Sequence, residues 1–182
     1  MELLQSIRLY SPDILALNET WLRSGEDSNA YNIPGYWFKH MPRASCRRGG
    51  GVGFYIRKGL KFRVIQQPQT ELEQMWLEVT LKGMHLAVGT AYRPEHQFVN
   101  KSIEELSETL SALSAYSFQC LLTDFNINLL EKDSKNSKDF LEFLNQQNYT
   151  QIVQEPTRVT ETTSTLLDLI ITDTPTRCRH VK

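Results

Sequence analysis

No apolar run in these 182 residues approaches the roughly 18 to 20 that a bilayer span requires. The opening M-E-L-L-Q-S-I-R lacks the charged stretch and apolar core of a secretory signal. Neither a membrane partner nor secretion is therefore expected, and no segment calls for a protein partner. The three cysteines, Cys46, Cys120 and Cys178, are odd in number, far apart and without a C-x-x-C pair. That argues against a disulfide framework or zinc ribbon and for a reducing compartment. Repeats, low-complexity tracts and linkers are missing as well, so a single domain is expected, of ordinary globular composition at 40% hydrophobic and 23% charged. Net charge is only -1, yet one stretch has no acid at all. Between Lys39 and Arg63 stand Lys39, Arg43, Arg47, Arg48, Arg57, Lys58, Lys61 and Arg63. Such a stretch is either a solvated basic face or a surface that neutralises phosphates.

What is present is an irregular alternation of helix and strand. Leu3, Leu4, Ile7 and Tyr10 keep helical spacing, and Ser11-Pro12-Asp13 breaks the helix. Strands are expected over 14–17, over 52–57 after three glycines, and over 61–65, 75–81 and 85–92. Val99 to Ala115 reads as an amphipathic helix, 118–122 as a strand, 139–144 as a second amphipathic helix and 165–171 as the last strand. Strands in succession flanked by helices predict an α/β fold with mixed pairing and helices outside.

Three of these strands carry an acid near one end: Glu19, Asp124 and Asp168. Strand ends in layered folds converge on crevices, and a hard divalent cation would gather such carboxylates. In the block T-D-F-N (123–126), Asp124 and Asn126 share one face if the chain stays extended. The competing reading is an Asx turn. Asp168, set among leucines, reads as a buried acid in need of a partner. Tyr92 reads as a strand-end tyrosine. The E-T-T-S segment offers Thr163 and Ser164 either to a backbone-bonding turn or to a ligand.

The blocks P-D-I-L-A-L-N-E-T-W-L (12–22), R-R-G-G-G-V (47–52), A-Y-R-P (91–94), T-D-F-N (123–126) and S-T-L-L-D-L-I (164–170) occur in this order over nearly the whole chain. The chain thereby resembles the endonuclease/exonuclease/phosphatase superfamily. The likeness is strongest to the apurinic-like endonuclease domain of non-long-terminal-repeat (LINE-type) retrotransposons. The resemblance implies a deoxyribonuclease-like two-sheet sandwich of mixed strands flanked by helices, Mg²⁺ or Mn²⁺ as cofactor, DNA as partner and a nuclear location. It implies hydrolysis of DNA phosphodiesters, with Glu19 on the metal, Asp124 as the acceptor of the water's proton and Asn126 on the phosphate oxygens. Tyr92 would contact the scissile phosphate and Asp168 would support the site, while Arg47, Arg48, Arg93, Thr163 and Ser164 would face DNA. Thr123 stands where the family usually has glycine. The resemblance also implies an incomplete domain over 1–182, without the family's first asparagine-bearing strand and without its closing Ser-Asp-His; His180 follows Arg179 and inherits no role. Weak or absent catalysis is then expected, with two alternatives, a nucleic-acid-binding domain that does not cut and, less favoured by the R-R-G-G-G-V and Y-R-P blocks, a phosphatase.

Overall fold

The computed structural model describes residues 2–44, 48–67 and 70–181. Cys46 and Arg47 lie outside them. The chain runs through α1 (Glu2–Tyr10), β1 (Ile14–Asn18), β2 (Tyr36–Met41), β3 (Val52–Arg57), β4 (Lys61–Ile65), β5 (Glu73–Leu81), β6 (Met84–Tyr92) and α2 (Val99–Ala112). It continues with β7 (Phe118–Asp124), α3 (Lys135–Gln146), β8 (Thr150–Gln151), β9 (Arg158–Val159), β10 (Ser164–Thr165) and β11 (Asp168–Thr172).

Two sheets result. The smaller is antiparallel in the order β1-β3-β2, and the larger runs β4-β5-β6-β7-β11-β8. Its one parallel neighbour pair among the described strands is β6 with β7. A parallel pair needs a crossover, and α2 supplies it. The expected two-sheet sandwich of mixed strands flanked by helices is therefore the fold observed.

The layers follow from residue parity. On β5, Met75, Leu77 and Val79 point inward and meet Val52, Phe54 and Ile56 of β3. Their neighbours Gln74, Trp76 and Glu78 point to the other face. There Trp76 joins Leu106 and Leu110 of α2 and Phe140, Phe143 and Leu144 of α3 in a second core. Phe125, just past β7, stacks on Phe140 at 4.7 Å between ring centres. Each such buried side chain contributes about 1.5–3 kcal/mol. Trp76 also lies opposite Gly89, where an added Cβ would come within 2.6 Å of the indole, so β6 must be glycine there. A third, smaller cluster puts Ile7 of α1 against Tyr36 and Tyr55 on the outside of the small sheet. No helix among the described residues is long and apolar enough to cross a membrane.

Several details depart from the sequence reading. The strand Tyr36–Met41 is not signalled by its mixed K-H-M composition, and it forms an edge with alternating burial. The stretch 165–171 splits, because Ser164 and Thr165 pair with Val159 and Arg158 before β11 begins at Asp168. The basic stretch 39–63 is dispersed. Arg43 pairs with Glu73, Arg57 with Asp13 at 3.1 Å and Arg63 with Glu78 at 2.6 Å, so these three charges are spent on acids elsewhere.

Candidate active site

Hydrogen-bond register lines up four side chains at one end of the large sheet. Glu73 lies opposite Tyr92, Tyr92 opposite Asp124, and Asp124 opposite Asp168. Residues directly opposite one another point to the same face, and Glu73 shares parity with the inward Met75 and Leu77. The row therefore edges the space between the two sheets. Tyr92 is buried, Asp124 half-buried and Asp168 exposed. The buried acid expected at 168 is thus not found. β11 starts at Asp168, so its carboxylate, on the face opposite the buried Leu169, stands at the open end of the space between the sheets.

The small sheet meets this row through Asn18, the last residue of β1. Its amide orientation follows from its partners. The nitrogen donates to Thr90 Oγ1 (2.9 Å) and the Ala91 carbonyl (3.2 Å), and the oxygen accepts from the Asp124 backbone N–H (3.0 Å). One side chain thereby joins β1, β6 and β7 at the base of the site.

Beyond Asn18 the chain turns against the glycine loop. The Thr20 and Trp21 N–H groups donate to the carbonyls of Gly51 (3.1 Å) and Gly50 (2.8 Å). Glu19 and Trp21 hold φ of 56° and 58°, a region that large side chains rarely occupy. Gly50 has φ +72°, and a Cβ there would lie 2.5 Å from Glu73 Oε2, so glycine is required. Glu19 Oε2 accepts from the Trp21 indole N–H and, at 3.4 Å, from the Gly50 N–H. Burial opposes ionisation of Glu19, but the Tyr92 hydroxyl, these two N–H groups and the charge of Arg43 together hold its carboxyl below its ordinary value. Glu73 accepts from Arg43 Nε and the Gly51 N–H, so its charge is neutralised in place.

Asp124 has the opposite environment. Burial pushes its carboxyl up to about 6, and the negative charges of Asp168 and Glu19 push the same way. The Asn126 N–H, donating to Oδ1 at 3.1 Å, and the charge of Arg93 pull it down. Tyr92 is raised above its ordinary value by burial, then by Glu19, and stays a protonated donor.

Asn126 is not reached by strand alternation. β7 ends at Asp124, and Asn126 sits in a turn at φ 51°, its side-chain nitrogen donating to the Arg93 carbonyl (2.8 Å). The Asx turn and the shared site thus coexist, and among the described residues the Arg93 carbonyl alone accepts from this amide nitrogen. Arg93 has another task than facing DNA. It is 4% exposed, and its guanidinium donates to the carbonyls of Phe125 (2.6 Å), Gln97 (2.6 Å) and Asn126 (2.8 Å). It clamps the 124–126 turn from within. Arg48 is exposed, its guanidinium 5.2 Å above the Trp21 ring. Thr163 and Ser164 are exposed on the β9–β10 hairpin, where Thr163 closes a turn with Thr160. Asn128 accepts from the Leu166 N–H (3.0 Å) and ties the loop after β7 to the segment before β11. Among the described residues no histidine stands in the row; His40 stacks on Phe38 and His85 bonds to Glu78.

Sequence reasoning missed Asn18, Arg43, Trp21 and Glu73 as site residues. Glu73 was legible, since it shares period-two parity with Met75, Leu77 and Val79. Arg43 and Trp21 carry no local signal, because loops bring them in.

Among the described residues no group of three or more His, Cys, Asp or Glu gathers closely enough to hold a metal ion. The expected meeting of Glu19, Asp124 and Asp168 around one ion is therefore not preformed. A hard cation that keeps most of its waters needs only one or two carboxylates. Glu19, held ionised and exposed, fits that demand, whereas a tetrahedral thiolate or imidazole site has no ligands here.

The fold recurs in other proteins. The endonuclease domain of TRAS1, a telomere-specific non-LTR retrotransposon, superposes with TM-score 0.74 at 11% identity, covering 93% of this chain and 76% of that one. The AP endonuclease LMAP of Leishmania major gives 0.74 at 17% identity, over 92% and 72%. A mannosyl-6-phosphatase of Bacteroides thetaiotaomicron gives 0.67 at 14%, over 94% and 74%. Such identities establish a common fold, and that fold serves both nucleases and phosphatases. No curated protein matches by sequence. The family described as Endonuclease/Exonuclease/phosphatase matches residues 2–180, which takes in the whole row and the loops that complete it, and the chain belongs to that family.

Proposed function

We propose that this chain acts on phosphodiesters of DNA at the rim formed by Glu19, Tyr92, Asp124, Asn126 and Asp168, as an endonuclease of the retrotransposon type. The observation that carries this reading is the half-buried Asp124, raised to about 6 by burial and by two neighbouring acids, beside a neutral amide. A base is most effective when it titrates near the working pH. Asp124 accepts the proton of an attacking water as oxygen adds to phosphorus and the ester oxygen leaves, taking its proton from solvent. The other amide N–H of Asn126 and the Tyr92 hydroxyl, turned from Glu19 toward the substrate, donate to phosphate oxygens, and Asn18 fixes the backbone beneath Asp124. A divalent cation held by Glu19, Mg²⁺ or Mn²⁺, would supply charge neutralisation for the developing phosphorane. Two acids near the phosphate make that supply necessary, since they would otherwise repel the substrate.

A supercoiled-plasmid nicking assay with Mg²⁺, beside filter binding to DNA across salt, tests this. Nicking abolished by Asp124→Ala supports the enzyme. Salt-sensitive binding without nicking would replace it with a binding domain. Release of phosphate from sugar or inositol phosphates without action on DNA would replace it with a phosphatase.

A further inference from the structure

We infer that Trp21 is the stacking platform for an unstacked nucleobase beside the phosphodiester, so that the preferred substrate is single-stranded or locally opened nucleic acid. This rests on the DNA reading above and narrows it. Four observations meet on one side chain. The indole N–H of Trp21 is bonded to Glu19, which places the ring at the edge of the reacting site. The residue is nevertheless 54% exposed, so the fold gains little from burying it. Its backbone holds φ 58°, a strained conformation for a residue of this size, and two hydrogen bonds to the glycine loop maintain the segment in it. Finally, the guanidinium of Arg48 lies 5.2 Å above the ring centre.

A guanidinium is planar and delocalised and stacks on aromatic faces as a base does. Arg48 therefore marks a seat open to a flat π-group. Displaced from it by a base, the guanidinium becomes free for the adjoining phosphate, a charge-assisted contact that a bare sugar phosphate would reach without filling the seat. Trp37 supplies an internal control. It is 50% exposed and likewise capped by a cation, Lys58 at 5.0 Å, but it stands on the β2 edge of the small sheet, away from the row.

The test compares binding of a short oligothymidylate with that of a tetrahydrofuran oligomer of the same length and phosphate count but no bases. Base–aromatic stacking predicts an oligothymidylate affinity higher by about tenfold. Trp21→Ala removes the difference, Trp21→Phe keeps most of it, and Trp37→Ala leaves it whole. In Trp37→Phe protein, where the other remaining tryptophan, Trp76, is fully buried, oligothymidylate quenches the fluorescence and the abasic oligomer does not. This second readout serves should the alanine variant fail to fold. Equal binding of both oligomers by the native protein, or a difference that survives Trp21→Ala, overturns the platform. Binding of neither oligomer overturns the DNA reading itself, and the platform with it.

Discussion

Two polar clusters occupy the large sheet, and the same residue types serve opposite ends in them. On the helix-facing side, Glu78 accepts from Arg63 Nε (2.9 Å) and Nη2 (2.6 Å) and from the Tyr116 hydroxyl (2.9 Å), and His85 Nδ1 lies 3.0 Å from its other oxygen. Arg63 first, then Tyr116, hold its carboxyl down at about 2, against the opposing effect of burial. At the rim, Asp124 is pushed up to about 6, by burial first and then by the charges of Asp168 and Glu19. Tyr116 and Tyr92 each face a carboxylate, but only Glu78 has an arginine committed to it. A cluster with its charges matched holds a fold together; one with them mismatched stores a cost that a substrate or cation can relieve.

The sharpest way to break this contrast is at Asp124. Replacement by alanine is expected to lower nicking by about a thousandfold, as loss of a general base does. The native rate should climb with pH through about 6 and then level, because only the ionised carboxylate accepts a proton. Asp124→Asn separates activity from stability. A carboxyl raised in the folded state lends stability that is complete below its unfolded value of 3.8 and lost as pH rises through about 6. The asparagine variant, free of that loss, should melt higher than the native protein at pH 7 and nearly level with it at pH 4. Equal melting temperatures at both pH values would show that the rim stores no such cost.

Arg93 tests the turn beneath the site. Its guanidinium donates to five carbonyls of the 94–97 and 125–126 segments, three of them within 2.8 Å, and charged hydrogen bonds of this kind are worth about 1.5–3 kcal/mol each when broken singly. Arg93→Ala should lower stability by about 3 kcal/mol in denaturant unfolding, and Arg93→Lys, which cannot reproduce the fork, should recover little. If Arg93 faced DNA instead, the alanine variant would unfold normally and bind with a shallower salt slope. Tyr92→Phe is milder. It removes one hydroxyl against Glu19 and leaves the ring in the core, so about a tenfold loss of nicking is expected with an unchanged melting temperature.

How much of this was legible beforehand divides along the same line. Strands and helices with a buried face announce themselves, since Met75, Leu77 and Val79 or Leu106 and Leu110 keep the period of the element that buries them. Ordered blocks located Glu19, Tyr92, Asp124, Asn126 and Asp168, and the structure brings those residues to one rim. What escaped depends on contacts made at a distance. Arg93 looks like a surface cation until five carbonyls are seen around it. Asp168 looks buried until it is found as the first residue of β11, at the open end of the row. The basic stretch looks continuous until Arg43, Arg57 and Arg63 meet their acids on other strands. Charge is not periodic, so sequence gives its location but not its partner.

Glu78 carries the smallest effect and the cleanest control. Glu78→Gln keeps the shape of the side chain and removes the charge that Arg63 and Tyr116 address, so the melting temperature should fall modestly at pH 7. A carboxyl depressed in the folded state lends stability that is complete above its unfolded value of 4.5 and lost as pH falls through about 2. The penalty of the glutamine should therefore shrink only as the pH drops below 4.5, which is the reverse of the Asp124→Asn gap, since that one closes toward acid and opens toward neutrality. Because Glu78 lies on the helix-facing side of the sheet, nicking should be unchanged. Loss of nicking in Glu78→Gln at temperatures where the variant stays folded would mean that the two clusters are coupled through β5, and that the matched one does more than hold the sheet.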